Sequence, residues 1–273
     1  MQQVLNLSVV IVTWNCDNFI ERFMNELKLS LEYFQGYEIL IYDNASIDTT
    51  VEKLKSYDVD ILVSDTNDGF AIANNKLISI AKYNNIVLLN PDVFGFTPAF
   101  WQELLARWDN ASPLFIRLLN EDGSFQNCVG DVLSLKRYAR KIIGRVDFAA
   151  IDERCTVGMG IMAFMLTSKE CLNNVGLLDE GFHMYSEDMD WCYRASRCGY
   201  QIIYEPKLTL FHLGGGSAAK RWDPLPAKLA KIKAERLFVL RHYCGITRFT
   251  LELLLIFKKV FHILRSYTRY DVT

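Results

Sequence analysis

Short apolar, β-branched runs alternate with segments of helical spacing through the first ninety residues. The runs predict strands at 7–13, 37–42, 60–63 and 85–89, and the segments between them predict helices at 17–31, 48–55 and 68–83. Strands that are apolar on both faces are typical of parallel sheets, whose crossover connections are usually helices. The alternation therefore predicts an α/β fold with a mostly parallel central sheet and helices on both faces.

The regular alternation of predicted strands and helices ends after Pro91. We predict a helix at 97–108, then an irregular stretch at 113–160 with short strands and a basic segment at 136–145. A strand at 160–167, helices at 168–175 and from Ser186, and strands at 201–205 and 208–212 follow. The last segment is predicted to be helical from Pro224, with a break near Gly245. With 273 residues, 51% of them hydrophobic, the chain can build one large domain with a sizeable core.

Charge is distributed unevenly along the chain. After residue 218 there are 12 Lys and Arg against 4 Asp and Glu, whereas the preceding residues include 18 basic and 28 acidic ones. A net charge of -2 argues against nucleic acid as the partner. The tail at 223–273 combines basic residues with dense Leu and Phe, which predicts amphipathic helices on an anionic membrane surface. Packing on the rest of the chain and a homodimer interface are the alternatives.

Cysteine usage and hydropathy bear on location. The 7 cysteines are scattered without a C-x-x-C pair, so reduced thiols are expected rather than a zinc site or a redox pair. The N-terminal segment lacks the basic region of a signal peptide, and there is no run of ~18 apolar residues. We therefore expect a cytoplasmic protein, attached peripherally to the inner face of the cell membrane if the tail binds lipid.

Polar residues follow each of the first four predicted strands. They are Thr13 to Asn15, Asp43 with Asn44, Asn67 to Gly69, and Asn90 to Asp92. A single such group usually serves a turn or a helix cap. Four groups at the carboxyl ends of neighbouring parallel strands share one rim, which is where open α/β sheets bind ligands.

Six motifs stand in the order found in one known family. They are VVIVTWN, DNASIDTT, NDGFAIANN, LLNPD, FHMYSEDMDWCYR and FHLGGGS. Between residues 7 and 217 the chain resembles family 2 glycosyltransferases, and NPD followed by YSEDMD looks most like the bacterial rhamnosyltransferase-like branch. The resemblance implies a GT-A catalytic domain at 1–222, with a nucleotide-binding half at 1–95 and an acceptor half at 96–222, followed by the tail.

The resemblance also implies how the rim binds a sugar nucleotide. Asp43 would accept the imide N3–H of uracil or thymine, while an Asx turn with Ala45 or Ser46 is an alternative that can coexist, one oxygen each. Asn67 and Gly69 would form the loop against the nucleoside. The remaining donor-binding candidates are Thr13, Asn15, Asn75, Asn90 and Asp92.

A divalent cation is the expected cofactor. Asp92 would bind Mg²⁺ or Mn²⁺ bridging the diphosphate, although Asn90 replaces the first carboxylate of the family's Asp-x-Asp motif. His212 matches a position that reaches the metal or the phosphate, with an ordinary strand-end histidine as the alternative. The glycines at 214–216 are a candidate lid over the donor.

Asp188 is the candidate general base. Helical spacing places it on an apolar, inward face with Trp191, Ala195 and Cys198, and deprotonating an acceptor hydroxyl explains an acid there. Glu187 and Asp190 are the candidate acceptor-binding residues. Helix capping is the alternative for Glu187, and an ion pair with Arg194, four residues on, is the alternative for Asp190.

The expected reaction is one in-line displacement that inverts the anomeric centre. dTDP-L-rhamnose is the favoured donor and a UDP-hexose the second choice, with a glycan or lipid-linked glycan of surface polysaccharide, such as O-antigen, as acceptor. A non-catalytic sugar-nucleotide or carbohydrate-binding protein on the same fold is the alternative. A Rossmann oxidoreductase and a P-loop enzyme are disfavoured, because neither G-x-G-x-x-G after the first strand nor G-x-x-x-x-G-K-[ST] occurs.

Overall fold

A computed structural model describes residues 6–143, 148–214 and 224–270. Its strands are β1 (Asn6–Thr13), β2 (Gly36–Asp43), β3 (Asp60–Val63), β4 (Asn85–Leu89), β5 (Val93–Phe94), β6 (Leu114–Leu119), β7 (Val129–Gly130), β8 (Cys155–Thr156), β9 (Met159–Gly160), β10 (Phe164–Ser168) and β11 (Ile203–His212). Its α-helices are α1 (Ile20–Leu31), α2 (Thr50–Leu54), α3 (Phe70–Ile80), α4 (Pro98–Arg107), α5 (Leu135–Ile143), α6 (Lys169–Val175), α7 (Glu187–Arg197), α8 (Pro224–His242) and α9 (Gly245–Tyr270).

The central sheet has nine strands, with the order β3-β2-β1-β4-β10-β6-β11-β5 and β8 beside β11. The four N-terminal strands pair in parallel, as their buried apolar sequences predict. β10 then joins β4 and β6 in antiparallel pairing, and β11 is parallel to β6. The predicted α/β fold class is confirmed, with the antiparallel strand inserted into an otherwise parallel core.

Two predictions for the second half of the chain differ from the structure. The stretch at 113–160 contains short strands, as expected, but residues of its basic segment form the helix α5, which was not predicted. The two strands expected at 201–205 and 208–212 are one strand, β11, whose register against β6 shifts between Glu205 and Thr209. Pro206 lies inside this shift, where a residue without an N–H can be accommodated by a bulge.

Most buried side chains form one core around the sheet, and a second cluster lies beneath the C-terminal helices. The second cluster contains Leu133, Phe182, Met189, Ile232, Ala234, Phe238, Val239, Leu251 and Leu255. It combines residues of α8 and α9 with residues from around α7 and α5. The helices of the tail are therefore packed on the body of the protein, and α8 is part of its core.

All seven cysteines are free thiols, as expected. Within the described ranges, none of the helices is both long enough and apolar enough to cross a membrane.

Candidate active site

Thr13 and Asp43 end two neighbouring strands in register and meet at the predicted rim. The Thr13 hydroxyl donates a hydrogen bond to Asp43 Oδ2 over 2.9 Å, and the Ser46 hydroxyl donates to the same oxygen over 2.6 Å. Asp43 Oδ1 accepts from the Ser46 backbone N–H at 2.8 Å. The predicted Asx turn with Ser46 is present, but it engages both carboxylate oxygens, so the expected division of one oxygen each is wrong. A uracil or thymine base would donate its imide N–H to a remaining lone pair of the Asp43 carboxylate.

Asn67 and Gly69 form the turn that leads into α3. Asn67 Oδ1 accepts the Gly69 N–H at 3.1 Å, and Gly69 has a φ of 85°, a conformation that favours glycine. A Cβ on Gly69 would lie 2.5 Å from the carbonyl oxygen of His183. The group that approaches Gly69 closely, and so requires glycine, is the backbone of the segment preceding α7. A nucleoside was expected in this place on the basis of the sequence.

The other predicted donor contacts lie in different environments. Asn15 has a φ of 52° and accepts the Ile47 N–H through its side chain, so it shapes the loop after β1. Asn90 stands at the end of β4, half-buried, with its backbone N–H bonded to Ala163. Both are on the rim, and their contacts with a donor stay predictions.

Asn75 is the exception among these candidates. Its side chain accepts the Leu178 N–H at 3.0 Å and donates to the Leu178 carbonyl at 2.8 Å and to Glu180 at 3.0 Å. The amide is buried and fully used, so its position gives no support to the predicted donor contact. Together with the contact between Gly69 and His183, it anchors the segment before α7 to the donor half.

Asp92 and His212 approach each other at the same rim. His212 Nε2 lies 3.2 Å from Asp92 Oδ1, and both side chains are buried. His212 Nδ1 lies 2.6 Å from Gln126 Oε1. The Gln126 amide nitrogen donates to Asn120 and to the His212 carbonyl, which assigns its oxygen to the ring.

This arrangement fits a bound cation. With the Nδ1 proton directed at Gln126, a neutral His212 presents the Nε2 lone pair to a carboxylate oxygen, so the two acceptors need a proton or a metal ion between them. Among the described residues no cluster of three or more His, Cys, Asp or Glu side chains could hold a metal. The remaining ligands of a cation here would come from the donor phosphates and water. Gly215 and Gly216 of the predicted lid lie outside the described residues.

The backbone is strained immediately before Asp188. Tyr185 and Ser186 have φ values of 70° and 67°, in the left-handed region that side-chain-bearing residues rarely adopt. Ser186 precedes α7 without a capping bond from its side chain, contrary to the usual role of serine there. The two residues turn the chain so that Glu187 and Asp188 form the first turn of the helix.

Burial raises the pKa of both carboxyl groups. The pKa of Glu187 is raised to about 8, first by desolvation and then by the charge of Asp188. Desolvation raises the pKa of Asp188 to about 6, although the Met189 N–H and the charge of Lys231 oppose the shift. Glu187 Oε2 has no hydrogen-bond partner. A carboxylate with a pKa near 6 is a suitable proton acceptor at neutral pH.

Both groups line a cavity of about 850 Å³ between α7, α5, α8 and the two-stranded sheet of β7 and β9. Asn127 lies on its wall and is the chain neighbour of Gln126, whose side chain contacts His212. The volume suits a sugar-sized ligand with further groups attached. Asp188 therefore faces a space that can hold an acceptor, and its role as general base stays a prediction.

Asp190 is in a different position. Its carboxylate is 1% exposed, with Oδ2 2.8 Å from Arg194 Nε and Oδ1 2.6 Å from His242 Nε2. The ion pair with Arg194 is confirmed, but this face of α7 is buried under α8. Because both oxygens are occupied, the position of Asp190 gives no support to acceptor binding. Cys198, expected to face inward, is exposed.

Three contributors to the site were not among the sequence candidates. Gln126 orients His212, and Arg137 and Lys231 line the cavity that contains Asp188. Arg137 and Lys231 belong to segments that were noted only as basic stretches. Their distance from Asp188 along the chain left no local pattern that could have connected them to it.

The comparisons with known proteins agree with this geometry. A family model described as "Glycosyl transferase family 2" matches residues 8–162, more than half of the chain. The chain belongs to glycosyl transferase family 2. Among family 2-like relatives, an "N-acetylglucosaminyl-diphospho-decaprenol L-rhamnosyltransferase" of Mycobacterium tuberculosis is 26% identical over 270 aligned residues, covering 88% of this chain and 85% of that protein.

Solved glycosyltransferases share the fold of this family 2 chain. The structure of GalNAc-T7 with UDP, GalNAc and Mn²⁺ superposes with a TM-score of 0.60 at 15% identity, covering 88% of this chain and 48% of that longer protein. The mannosyltransferase PcManGT from Pyrobaculum calidifontis, in complex with GDP-Man and Mn²⁺, gives 0.59 at 13% identity, covering 98% and 75%. These likenesses support the GT-A fold assignment, and the chain is a glycosyltransferase.

Proposed function

We propose that this enzyme transfers a sugar, with inversion, from a pyrimidine nucleoside diphosphate sugar to a hydroxyl group of a lipid-linked glycan. The position of Asp188 carries the proposal. It is a carboxylate of raised pKa that lines a large cavity in the predicted acceptor half of the chain. Glu187, protonated at neutral pH by its own raised pKa, can donate a hydrogen bond to the acceptor.

The proposed reaction is a single displacement. The acceptor hydroxyl attacks the anomeric carbon as Asp188 takes its proton, the bond from that carbon to the diphosphate oxygen breaks, and the nucleoside diphosphate leaves. Asp92 and His212 would hold Mg²⁺ or Mn²⁺, which neutralises charge on a diphosphate when it is bound. Asp43, Asn67 and Asn90 hold the donor at the rim, where the nucleoside meets Asp43.

The donor and the acceptor are proposed from chemistry and from likeness together. Asp43 can accept the imide N–H of thymine or uracil, which favours dTDP-L-rhamnose first and a UDP-hexose second. The name of the mycobacterial relative states L-rhamnosyl transfer to a GlcNAc-diphospho-polyprenol. This likeness supports the proposal of a rhamnose donor and a lipid-linked amino sugar as acceptor, in the assembly of a surface polysaccharide.

Attachment to a membrane is the second part of the proposal. One face of α9 exposes apolar side chains with no charged residue among them: Ile246, Phe249, Leu253, Ile256, Phe257, Val260, Phe261 and Leu264. Their spacing gives an arc of roughly 140° at 3.6 residues per turn, wide enough to lie in the head-group layer. Arg248 and Lys259 flank this apolar stripe and suit an anionic leaflet. A lipid surface is therefore the proposed occupant.

A donor panel tests the catalytic proposal. dTDP-L-rhamnose and UDP-hexoses, each with Mn²⁺, should raise the Tm more than GDP-mannose does. Rhamnose should be transferred from dTDP-L-rhamnose to a GlcNAc-diphospho-polyprenol with inverted anomeric configuration, measured by NMR of the product. Preference for GDP-mannose would refute the pyrimidine assignment. Donor binding without transfer or hydrolysis would favour the non-catalytic carbohydrate-binding alternative.

A further inference from the structure

The cavity that contains Asp188 also carries three cationic side chains. Arg137 and Arg140 come from α5, and Lys231 comes from α8. Arg140 is already neutralised, because its Nη1 lies 2.8 and 2.9 Å from the two carboxylate oxygens of Asp131. Arg137 and Lys231 have no hydrogen bond or ion pair from their side chains to any part of the chain that the structure describes.

The acidic groups of the cavity do not balance these two cations. Glu235 is paired with Lys258 of α9 at 2.6 Å, and Asp131 is occupied by Arg140. Glu187 is buried without a compensating partner, which favours its neutral form. Asp188 alone remains as an anion against two uncommitted cations, so the cavity has an excess positive charge at neutral pH.

We propose that Arg137 and Lys231 form a binding site for the diphosphate group of the lipid-linked acceptor. The inference rests on the proposed function and adds the group by which the acceptor is recognised. An arginine offers paired N–H donors that match phosphate oxygens, and a lysine adds a mobile point charge. The sugar joined to that diphosphate then lies in the same cavity as Asp188, which takes the proton of its hydroxyl.

The donor diphosphate is accounted for elsewhere. Asp92 lies at the strand rim between β4 and β5, and His212 is the last residue of β11, beside Val93. Arg137 and Lys231 belong to helices outside the sheet. The lysine is on α8, which packs against the helix that bears the exposed apolar stripe. Lys231 therefore belongs to the same pair of helices as the exposed apolar stripe.

Direct binding of farnesyl diphosphate, a soluble lipid diphosphate, tests this site without requiring turnover. The full chain should bind it equally with and without saturating dTDP and Mn²⁺, measured by isothermal titration calorimetry. Arg137→Gln and Lys231→Gln should each weaken binding by about ten-fold or more, the usual loss for a charge-assisted hydrogen bond. Lys136→Gln and Lys233→Gln remove exposed charges from the same two helices outside the cavity and should change binding less than two-fold.

Kinetics then separate this site from the donor site. With a GlcNAc-diphospho-lipid acceptor, both cavity variants should raise the acceptor KM and leave the donor KM within two-fold. An uncharged alkyl glycoside of GlcNAc should be a poor acceptor that the variants use as well as the wild type does. Displacement of farnesyl diphosphate by dTDP, or equal losses in the Lys136 and Lys233 variants, would overturn the site. Absence of rhamnosyl transfer by a wild type that still binds farnesyl diphosphate would refute the proposed function alone.

Discussion

Asp188 and Asp190 are two residues apart on α7 and have opposite surroundings. Asp188 faces the cavity with one carboxylate oxygen bonded only to the Met189 N–H, while Asp190 lies between Arg194 and His242. A buried carboxylate whose two oxygens are both bonded to other side chains is held for structure, and a carboxylate that faces a cavity is available for proton transfer.

We expect Asp188→Asn to lower kcat by ~10²–10⁴-fold, because the amide cannot accept the hydroxyl proton. The Kd for the donor should stay within two-fold in calorimetric titrations. Asp190→Asn should mainly lower the free energy of unfolding, by about 1–3 kcal/mol, because Arg194 and His242 lose a charged partner. Kinetics and urea unfolding of both variants provide the check. A reversed order of kcat losses would move the base to Asp190.

The raised pKa of Glu187 predicts that the stability of the folded protein depends on pH. Its folded pKa, about 8, lies above the ordinary 4.5, so between these values the folded state binds more protons than the unfolded state. Its contribution to the free energy of unfolding therefore falls as the pH rises through this window. Glu187→Gln removes this loss, so its Tm relative to wild type should rise from pH 5 to pH 9. Differential scanning calorimetry measures it.

The control for this experiment is Glu121→Gln, which changes an exposed glutamate in a turn. Its Tm difference from wild type should stay constant with pH. Parallel Tm curves for wild type and Glu187→Gln would show that Glu187 ionises normally and would contradict the burial argument.

The contact between Gln126 and His212 predicts that turnover depends on a metal ion. Chelation with EDTA should lower turnover by about 10²-fold or more, and added Mn²⁺ should restore it. Gln126→Leu removes the acceptor that orients the His212 ring, so half-maximal activity should need ~10–100-fold more metal. Gln102→Leu, on the exposed face of α4, is the matched control. Full turnover in excess EDTA would refute the cation site.

At the scale of elements, α9 has two apolar faces, of which one is buried and the other is exposed. Leu251 and Leu255 are buried against α8, and the hairpin of the two helices is joined by ion pairs of Glu252 with Arg236 and of Glu235 with Lys258. The opposite face is the exposed apolar stripe. Exposed stripes of this size mark an interaction surface.

We expect the full-length protein to float with vesicles containing phosphatidylglycerol at low salt. Replacing Phe257 and Phe261 together by Glu should abolish flotation, because charges then enter the apolar arc. Leu29→Glu alters an exposed leucine on α1 and should float as wild type does. If the protein ignores vesicles and the double variant instead converts a dimer into a monomer on sedimentation, the stripe is an interface between two copies.

At the scale of the whole molecule, the tail and the body form one packed unit. Phe238 and Val239 of α8 are buried with Phe182 and Met189, and the Tyr243 hydroxyl donates to the Leu133 carbonyl at 2.7 Å. The same helix supplies His242 to Asp190 and Lys231 to the cavity. The division into a catalytic domain at 1–222 and a tail at 223–273 stays a prediction, and the packing argues for treating α8 with the body.

A chain ending at residue 223 should therefore lose stability and activity together. Burial of Phe238 and Val239 contributes about 1.5–3 kcal/mol each, a large share of the ~5–15 kcal/mol typical of a folded domain. Thermal melting and limited proteolysis would measure the loss. A chain ending after Arg265 keeps the whole buried cluster and should melt as the full chain does. An unchanged Tm for the shorter chain would show that α8 is dispensable for folding.

Local pattern was sufficient for the N-terminal half of the fold. Buried strands, helical spacing and polar strand ends all depend on residues close in sequence, so β1 to β4 and the rim with Thr13, Asp43 and Asp92 follow from periodicity alone. The motifs identified the family for the same reason. The position of Asp188 in the first turn of α7 also followed from the sequence, and its role as base stays a prediction.

Only the tertiary structure decided the rest, because it depends on residues far apart in the chain. The Asn75 side chain bonds the backbone of Leu178, and the Asp190 carboxylate contacts His242. Helical periodicity cannot show either contact, because the partners lie far apart in the sequence. The cavity with Arg137 and Lys231 exists because α5 and α8 pack beside α7. Burial and charge pairing are properties of that assembled neighbourhood, so the sequence determined the elements and the chemistry they carry, and the packing determined which groups meet.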